Sequence, residues 1–253
     1  MNLNRERSII NKTPNKLFTL THNFLKMLQL VVFDMAGTTV HDESNVAKCL
    51  QAAFEEKNII INLKDALDVM GIPKPIAIGQ LLSSSVKDPL IINDHLIEEI
   101  HFSFVSKMIN HYETNESVRE RTGVSDIFLF LKEKNIKIAI DTGFDRQITD
   151  VILKRLKWIE NKLIDASVAS DEVEYGRPYP DMIFKAMELT GVNDVKNVAK
   201  VGDTASDMQQ GTAAKCAWVI GVTTGAYSKE DLEKFPHTHL IERVSELNKI
   251  FNL

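Results

Sequence analysis

In two places this sequence sets a carboxylate directly after a short apolar run. Leu30-Val31-Val32-Phe33 leads into Asp34 and the turn Met35-Ala36-Gly37-Thr38-Thr39, and Val198 to Gly202 leads into Asp203, with Asp207 four residues on at the start of an expected helix. Four apolar residues, mostly β-branched or aromatic, read as a strand buried on both faces. Open α/β sheets bind ligands beyond the carboxyl ends of their strands, so Asp34 stands where a phosphoryl-transfer nucleophile is needed. Hard cations such as Mg²⁺ take oxygen ligands, commonly one or two carboxylates with substrate phosphate and water. Asp34, Asp203 and Asp207 meet that demand. A third strand, Ile136 to Ile140, ends in Asp141-Thr142-Gly143, whose hydroxyl and backbone N–H groups suit an anion. Tyr175-Gly176-Arg177-Pro178-Tyr179-Pro180 holds a guanidinium in a stiff turn ahead of a helix.

Taken in order, D-x-A-G-T at Asp34, the strand-end Thr142, G-R-P-x-P around Arg177 and V-G-D-T-x-x-D at Asp203 resemble the haloacid dehalogenase superfamily of hydrolases, over nearly everything from Met27 to Leu253. Ala36 where a second Asp is usual, Arg177 where Lys is commoner, and Gly221-Val222-Thr223-Thr224-Gly225-Ala226 resemble the phosphonoacetaldehyde hydrolase (phosphonatase) branch and its phosphonatase-like relatives. The resemblance implies that Asp34 is the nucleophile and forms an aspartyl phosphate. It implies Mg²⁺ held by Asp34, the Ala36 carbonyl and Asp203, with Asp207 orienting metal-bound water or Asp203. Gly37, Thr38, Thr142 and the Gly143 amide would then meet the substrate, and Arg177 would balance charge where Asp34 and phosphate meet.

Ala36 raises a difficulty, because in most phosphatases of the superfamily an Asp two residues after the nucleophile protonates the leaving group and then activates water. Phosphonatases instead use a lysine that forms a Schiff base with the substrate aldehyde. Met70-Gly71-Ile72-Pro73-Lys74 is similar to their M-G-x-x-K segment, which brings Met70, Gly71 and Lys74 to the expected site. The histidine that follows three residues later in that family is Ala77 here. The expectation is therefore a phosphonatase-like, Mg²⁺-dependent hydrolase of a small organic phosphate or phosphonate. Phosphonoacetaldehyde hydrolysis through Lys74 is the first alternative, and a catalytically impaired phosphate-binding regulator the second. His41 or Asp42 stands available to replace the missing acid/base, or to serve as turn and hinge polarity.

Positioning these residues calls for an α/β fold: a Rossmann-like, doubly wound, mostly parallel sheet with a small helical cap domain inserted after the first strand. Residues 1–26 read as a disordered N-terminal extension, 27–44 and 120–253 as the core, and 45–119 as the cap. Ser44 is expected to cap a helix carrying Val46, Ala47, Leu50, Ala53 and Phe54 on one face, and a second cap helix runs through Leu96, Ile100, Phe104 and Met108. In the core, helices are expected to Glu133, over Asp145–Leu156, over Asp181–Thr190 and from Ser206, with a closing helix over Val244–Phe251. Strands fall near Ala166–Ala169, at Ala217–Val222 and at Thr238–Ile241.

With 253 residues, a net charge of -5 and no basic run interleaved with aromatics, the composition argues against nucleic acid as a partner. No stretch has the roughly 18 apolar residues of a membrane span. Two cysteines, Cys49 and Cys216, are too few for a disulfide framework and lack metal-ligand spacing, which makes a reducing cytoplasm the expectation. The resemblance also admits a homodimer paired through the cap.

Overall fold

Strand β1 (Leu30–Asp34) is buried along its whole length in the computed structural model, which describes residues 28–251. The expected N-terminal extension therefore lies outside the described residues. The side chains of β1 alternate between two cores. Val31 and Phe33 enter a cluster with Ile127, Phe128 and Leu131 of helix α5 (Val124–Glu133), while Leu30 and Val32 pack with Met182, Ile183 and Ala186 of α7 (Asp181–Thr190). Helices on both faces explain why the strand is apolar throughout rather than at every second position. Phe33, Phe128 and Trp158 stack in a chain, with ring centroids 5.2 and 5.4 Å apart.

The sheet also contains β2 (Lys137–Asp141), β3 (Ala166–Val168), β4 (Val198–Gly202), β5 (Trp218–Val222) and β6 (His239–Ile241), in the order β3-β2-β1-β4-β5-β6. Every pairing is parallel. Succession runs outward in opposite directions from the β1/β4 pair, which makes their carboxyl ends the switch-point crevice of a doubly wound sheet. Register places Asp34 beside Asp141, and the residue after β4 is Asp203. Helices α6 (Arg146–Leu156), α8 (Ala205–Ala214), α9 (Lys229–Leu232) and α10 (Leu247–Ile250) complete the core. The expected closing helix is only a 3₁₀ turn, Val244–Glu246, running into α10.

Between β1 and α5 lies the helical insertion: α1 (Asn45–Glu55), α2 (Leu63–Asp68), α3 (Lys74–Ser85) and α4 (Asp94–Thr114). Its inner face carries Leu50 and Phe54 of α1, Ile78 and Leu82 of α3, and Phe104 and Met108 of α4, all buried in the same cluster as the sheet's upper face. The two connections to the core pair briefly with each other. His41 N donates to Arg119 O at 3.0 Å, and Arg121 N to Thr39 O at 2.8 Å.

The start of α1 departs from the expectation. Ser44 adopts a left-handed backbone, φ 62°, and its side chain makes no capping hydrogen bond. Asp42 takes that role instead, its Oδ1 accepting from Asn45 N at 2.9 Å and Val46 N at 3.3 Å. The longer Asp side chain spans the extra turn that Ser44 closes with its backbone. Among the described residues no helix is long and apolar enough to cross a membrane.

Candidate active site

The turn after β1 is closed by its own backbone. Met35 O accepts from Thr39 N and Val40 N at 2.9 and 2.8 Å, and Thr39 Oγ1 donates to Asp34 O at 2.8 Å. Gly37 sits at φ 94°, and a Cβ there would stand 2.2 Å from Asp203 Oδ2. Only glycine takes this conformation without strain while letting the Asp203 carboxylate approach so closely.

A cavity of about 60 Å³ lies at the strand ends, lined by Asp34, Ala36, Gly37, Thr142, Gly143 and Asp203 of the core and by Asp42, Met70, Gly71 and Lys74 of the insertion side. It has room for several waters, and so for a small oxyanion. The insertion closes directly on the core here. Gly71 has φ 83°, and a Cβ would fall 2.4 Å from Thr204 Oγ1, while one on Gly143 would stand 2.9 Å from the Ile72 carbonyl. Thr142 is buried, its Oγ1 accepting from Phe144 N at 3.2 Å, which leaves the hydroxyl hydrogen to donate.

Off the cavity wall lies a fully buried ion network. Arg177 donates from Nη1 to Asp34 Oδ1 at 2.7 Å and from Nη2 to Asp141 Oδ1 at 2.5 Å, and Nη1 stands 3.1 Å from Asp207 Oδ1. Lys200, in the middle of β4, pairs with Asp141 and, at 2.9 Å, with Asp207 Oδ1. Asp207 Oδ2 accepts from the N and Oγ1 of Thr204 at 3.1 and 2.6 Å. No hydrogen bond joins Asp207 to Asp203; Asp207 pairs with Arg177 and Lys200, and of its two expected roles the orientation of metal-bound water is the one that needs no such bond. Thr38 donates to Asp203 Oδ1 at 2.9 Å and is not among the residues that line this cavity.

Electrostatics set the carboxylates apart. Burial raises the Asp207 carboxyl, but Arg177 and Lys200 outweigh it and leave the group below its ordinary value. Burial holds Asp34 above its ordinary value despite Arg177. Asp203 is pushed well above it by burial and by the charges of Asp34 and Asp207. It accepts from Thr38 and from Ala226 N at 2.6 Å, and has no ion pair among the described residues. Oxygens of Asp34, Asp203 and Asp207 lie within 4.8 Å of one another. An uncompensated buried carboxylate beside two others suits a divalent cation, whose charge would reverse that rise.

Lys74 opens α3 with its ammonium buried against the rings of Phe104 and Phe144, 5.9 and 5.7 Å from their centroids, and donates to Ile72 O at 3.3 Å. Burial, assisted by the Arg177 charge, brings its pKa down to about 8. About a tenth of Lys74 is then neutral at pH 7, against roughly one part in three thousand for an ordinary lysine.

Two members of the network went unassigned on sequence, although a signal existed for each. A lysine amid Val198-Ala199-Lys200-Val201, in a strand buried on both faces, requires a buried counter-charge. Asp141, the strand-end residue paired with Asp34, supplies it.

The family model for haloacid dehalogenase-like hydrolases matches residues 31–222. The chain is 33% identical over 236 residues to the phosphonoacetaldehyde hydrolase of Hahella chejuensis, covering 87% of this chain and 78% of that one. To the phosphonoacetaldehyde hydrolase of Bacillus cereus it is 29% identical over 242 residues, 88% of each chain. The crystal structure of a phosphonoacetaldehyde hydrolase-like protein from Oleispira antarctica superposes with a TM-score of 0.74 over 89% of this chain and 91% of that one; at 20% identity this is a likeness of fold. With six parallel strands, a helical insertion after the first and these matches, the chain belongs to the haloacid dehalogenase-like hydrolases.

Proposed function

We propose that this hydrolase is Mg²⁺-dependent and phosphonatase-like, releasing phosphate from a small organic phosphate or phosphonate through an aspartyl phosphate on Asp34. The observation that carries the reading is Asp34 itself: a carboxylate on the cavity wall, held by Arg177 at 2.7 Å, beside the carboxylate group it forms with Asp203 and Asp207. Asp34 would attack phosphorus as the bond to the leaving group breaks, and water would then release phosphate and restore the carboxylate. The Thr142 hydroxyl and the Gly143 amide would bind phosphoryl oxygens, while the Arg177 charge works against the burial that raises Asp34. Asp34, the Ala36 carbonyl and Asp203 would hold Mg²⁺, which supplies positive charge opposite the transferred oxygens. The insertion would act as the cap that excludes water from the cavity.

The metal assignment makes its own prediction. Chelation should abolish turnover, and added Mg²⁺ should raise the melting temperature of the wild type. In Asp203→Asn that rise should shrink by more than half, because the carboxylate lacking an ion pair is gone. An equal Mg²⁺-induced rise in both proteins, read by calorimetry, would place the cation elsewhere.

A second reading is favoured by Lys74, an amine brought toward neutrality inside the same cavity. In that reading Lys74 forms an imine with an aldehyde phosphonate, so that cleavage of the C–P bond leaves an enamine rather than a carbanion. Borohydride reduction in the presence of phosphonoacetaldehyde should then add mass at Lys74, in a yield that climbs with pH through about 8 as the amine loses its proton. Phosphate release from phosphonoacetaldehyde and a panel of monoesters, comparing wild type with Lys74→Ala, separates the two. Ester cleavage that survives the substitution in an enzyme whose wild type does not turn over phosphonoacetaldehyde supports the first reading; phosphonoacetaldehyde cleavage by the wild type that is lost in Lys74→Ala supports the second.

A further inference from the structure

We propose that Asp42 is the proton-transfer residue of this site, standing in for the carboxyl group that Ala36 lacks. The inference rests on the ester-hydrolase reading above and deepens it. Both Ala36 and Asp42 line the cavity that contains Asp34, but a methyl group can neither give nor take a proton. The other available residue is turned away: His41 Nε2 meets Glu43 Oε1 at 3.0 Å in an exposed pair, and His41 does not line the cavity.

Asp42 is held for this work by one of its oxygens. Oδ1 accepts from Asn45 N and Val46 N, which anchors the carboxyl group at the start of α1. Five ionisable side chains share its electrostatic neighbourhood: Cys49 on α1, Lys74 on α3, His111 and Tyr112 on α4, and Arg121 on the return connection. Burial is the largest influence and raises the Asp42 carboxyl, while the Asn45 and Val46 hydrogen bonds lower it. A raised carboxyl keeps its proton to a higher pH than an ordinary one, which favours its use as a donor.

The two steps balance. As Asp34 oxygen bonds to phosphorus, the P–O bond to the leaving group breaks with its electron pair going to that oxygen, which takes the proton from Asp42. The Asp42 carboxylate then accepts a proton from water as the water oxygen bonds to phosphorus. The bond to Asp34 breaks, phosphate leaves, and Asp42 is protonated again.

Asp42→Asn tests this, because the amide oxygen still accepts from Asn45 N and Val46 N and so preserves the helix start; an unchanged melting curve verifies the fold. Two substrates divide its roles: ethyl phosphate, whose leaving alkoxide needs a proton, and p-nitrophenyl phosphate, whose nitrophenolate leaves without one. The variant should lose about 10²–10⁴-fold on ethyl phosphate. On p-nitrophenyl phosphate it should give a rapid burst of nitrophenolate equal to the enzyme, followed by slow turnover as phospho-Asp34 accumulates. Equal losses on both substrates with no burst, or activity on ethyl phosphate within about threefold of wild type, would overturn the role of Asp42 alone. A wild type that cleaves neither ester would overturn the ester-hydrolase reading beneath it.

Discussion

Asp34→Asn is expected to reduce phosphate release by about 10⁴-fold or more, while the protein remains folded and keeps its cavity. The amide has nearly the same shape, so Arg177 loses an ionic partner at 2.7 Å but retains Asp141 and Asp207. The buried cluster gives up one negative charge, and among carboxylates raised by their neighbours that is a relief: Asp34 itself raises Asp203. Stability is therefore expected to hold or rise slightly even as chemistry is lost. Mass spectrometry of acid-quenched reactions should find phosphate on Asp34 of the wild type and none on the variant. Activity within about tenfold of wild type would remove Asp34 from the nucleophile role. Parallel loss of activity and melting temperature would make it a structural group.

How far the sequence leads to this site depends on which physical effect sets each element. β1 is legible because a strand covered on both faces must be apolar throughout, β2 because Ile136, Ile138 and Ile140 alternate, and after each of these runs, as after β4, the carboxylate stands out. Helix α7 was legible to its last residue, since Gly191 at φ 72° ends it. Helix α3 was not. Lys74-Pro75-Ile76-Ala77-Ile78-Gly79 has weak intrinsic preference for helix, and the segment is helical because Ala77, Ile78, Leu81 and Leu82 find a buried face against α4, a tertiary effect that no local pattern carries. The ion network follows the same logic. Each of Asp34, Arg177, Asp203 and Asp207 sits in a recognisable motif, but which charge meets which is fixed by strand register. The sequence spacing therefore gave no sign that Asp207 would grip Arg177 and Lys200 rather than Asp203. Asp42 and Ser44 divide in a like manner, because the helix start depends on a left-handed residue that local composition does not announce.

Arg177→Met should have the largest effect on stability, because it removes one member of a buried ionic cluster and leaves the others. Arg177 contacts three carboxylates from three elements: the end of β1, the end of β2 and the first turn of α8. With the guanidinium gone, Lys200 is the remaining cation within ion-pair distance of Asp141 and Asp207 among the described residues, and Asp34 has none. Breaking a buried pair by removing one partner costs about 3–5 kcal/mol, which for a domain of this size lowers the melting temperature by roughly 6–20 °C. The deficit should depend on pH in a definite direction. Asp207 lies below its ordinary value in the wild type, so it contributes stability that is present above that value, near 3.8, and lost as pH falls through the folded-state value. In the variant the same carboxylates are raised, take up protons on folding and are relieved by acid. The melting temperatures of the two proteins should converge as pH is lowered from 8 toward 4, and a gap constant across that range would show that Arg177 acts by packing alone. The same shift governs activity: without Arg177, Asp34 is protonated at higher pH, and the acid limb of the pH–rate profile should move upward. Arg177→Lys guards against a variant too unstable to assay, since a single ammonium cannot reach Asp34 and Asp141 together as the planar fork does. It should recover part of the stability but leave the acid limb displaced.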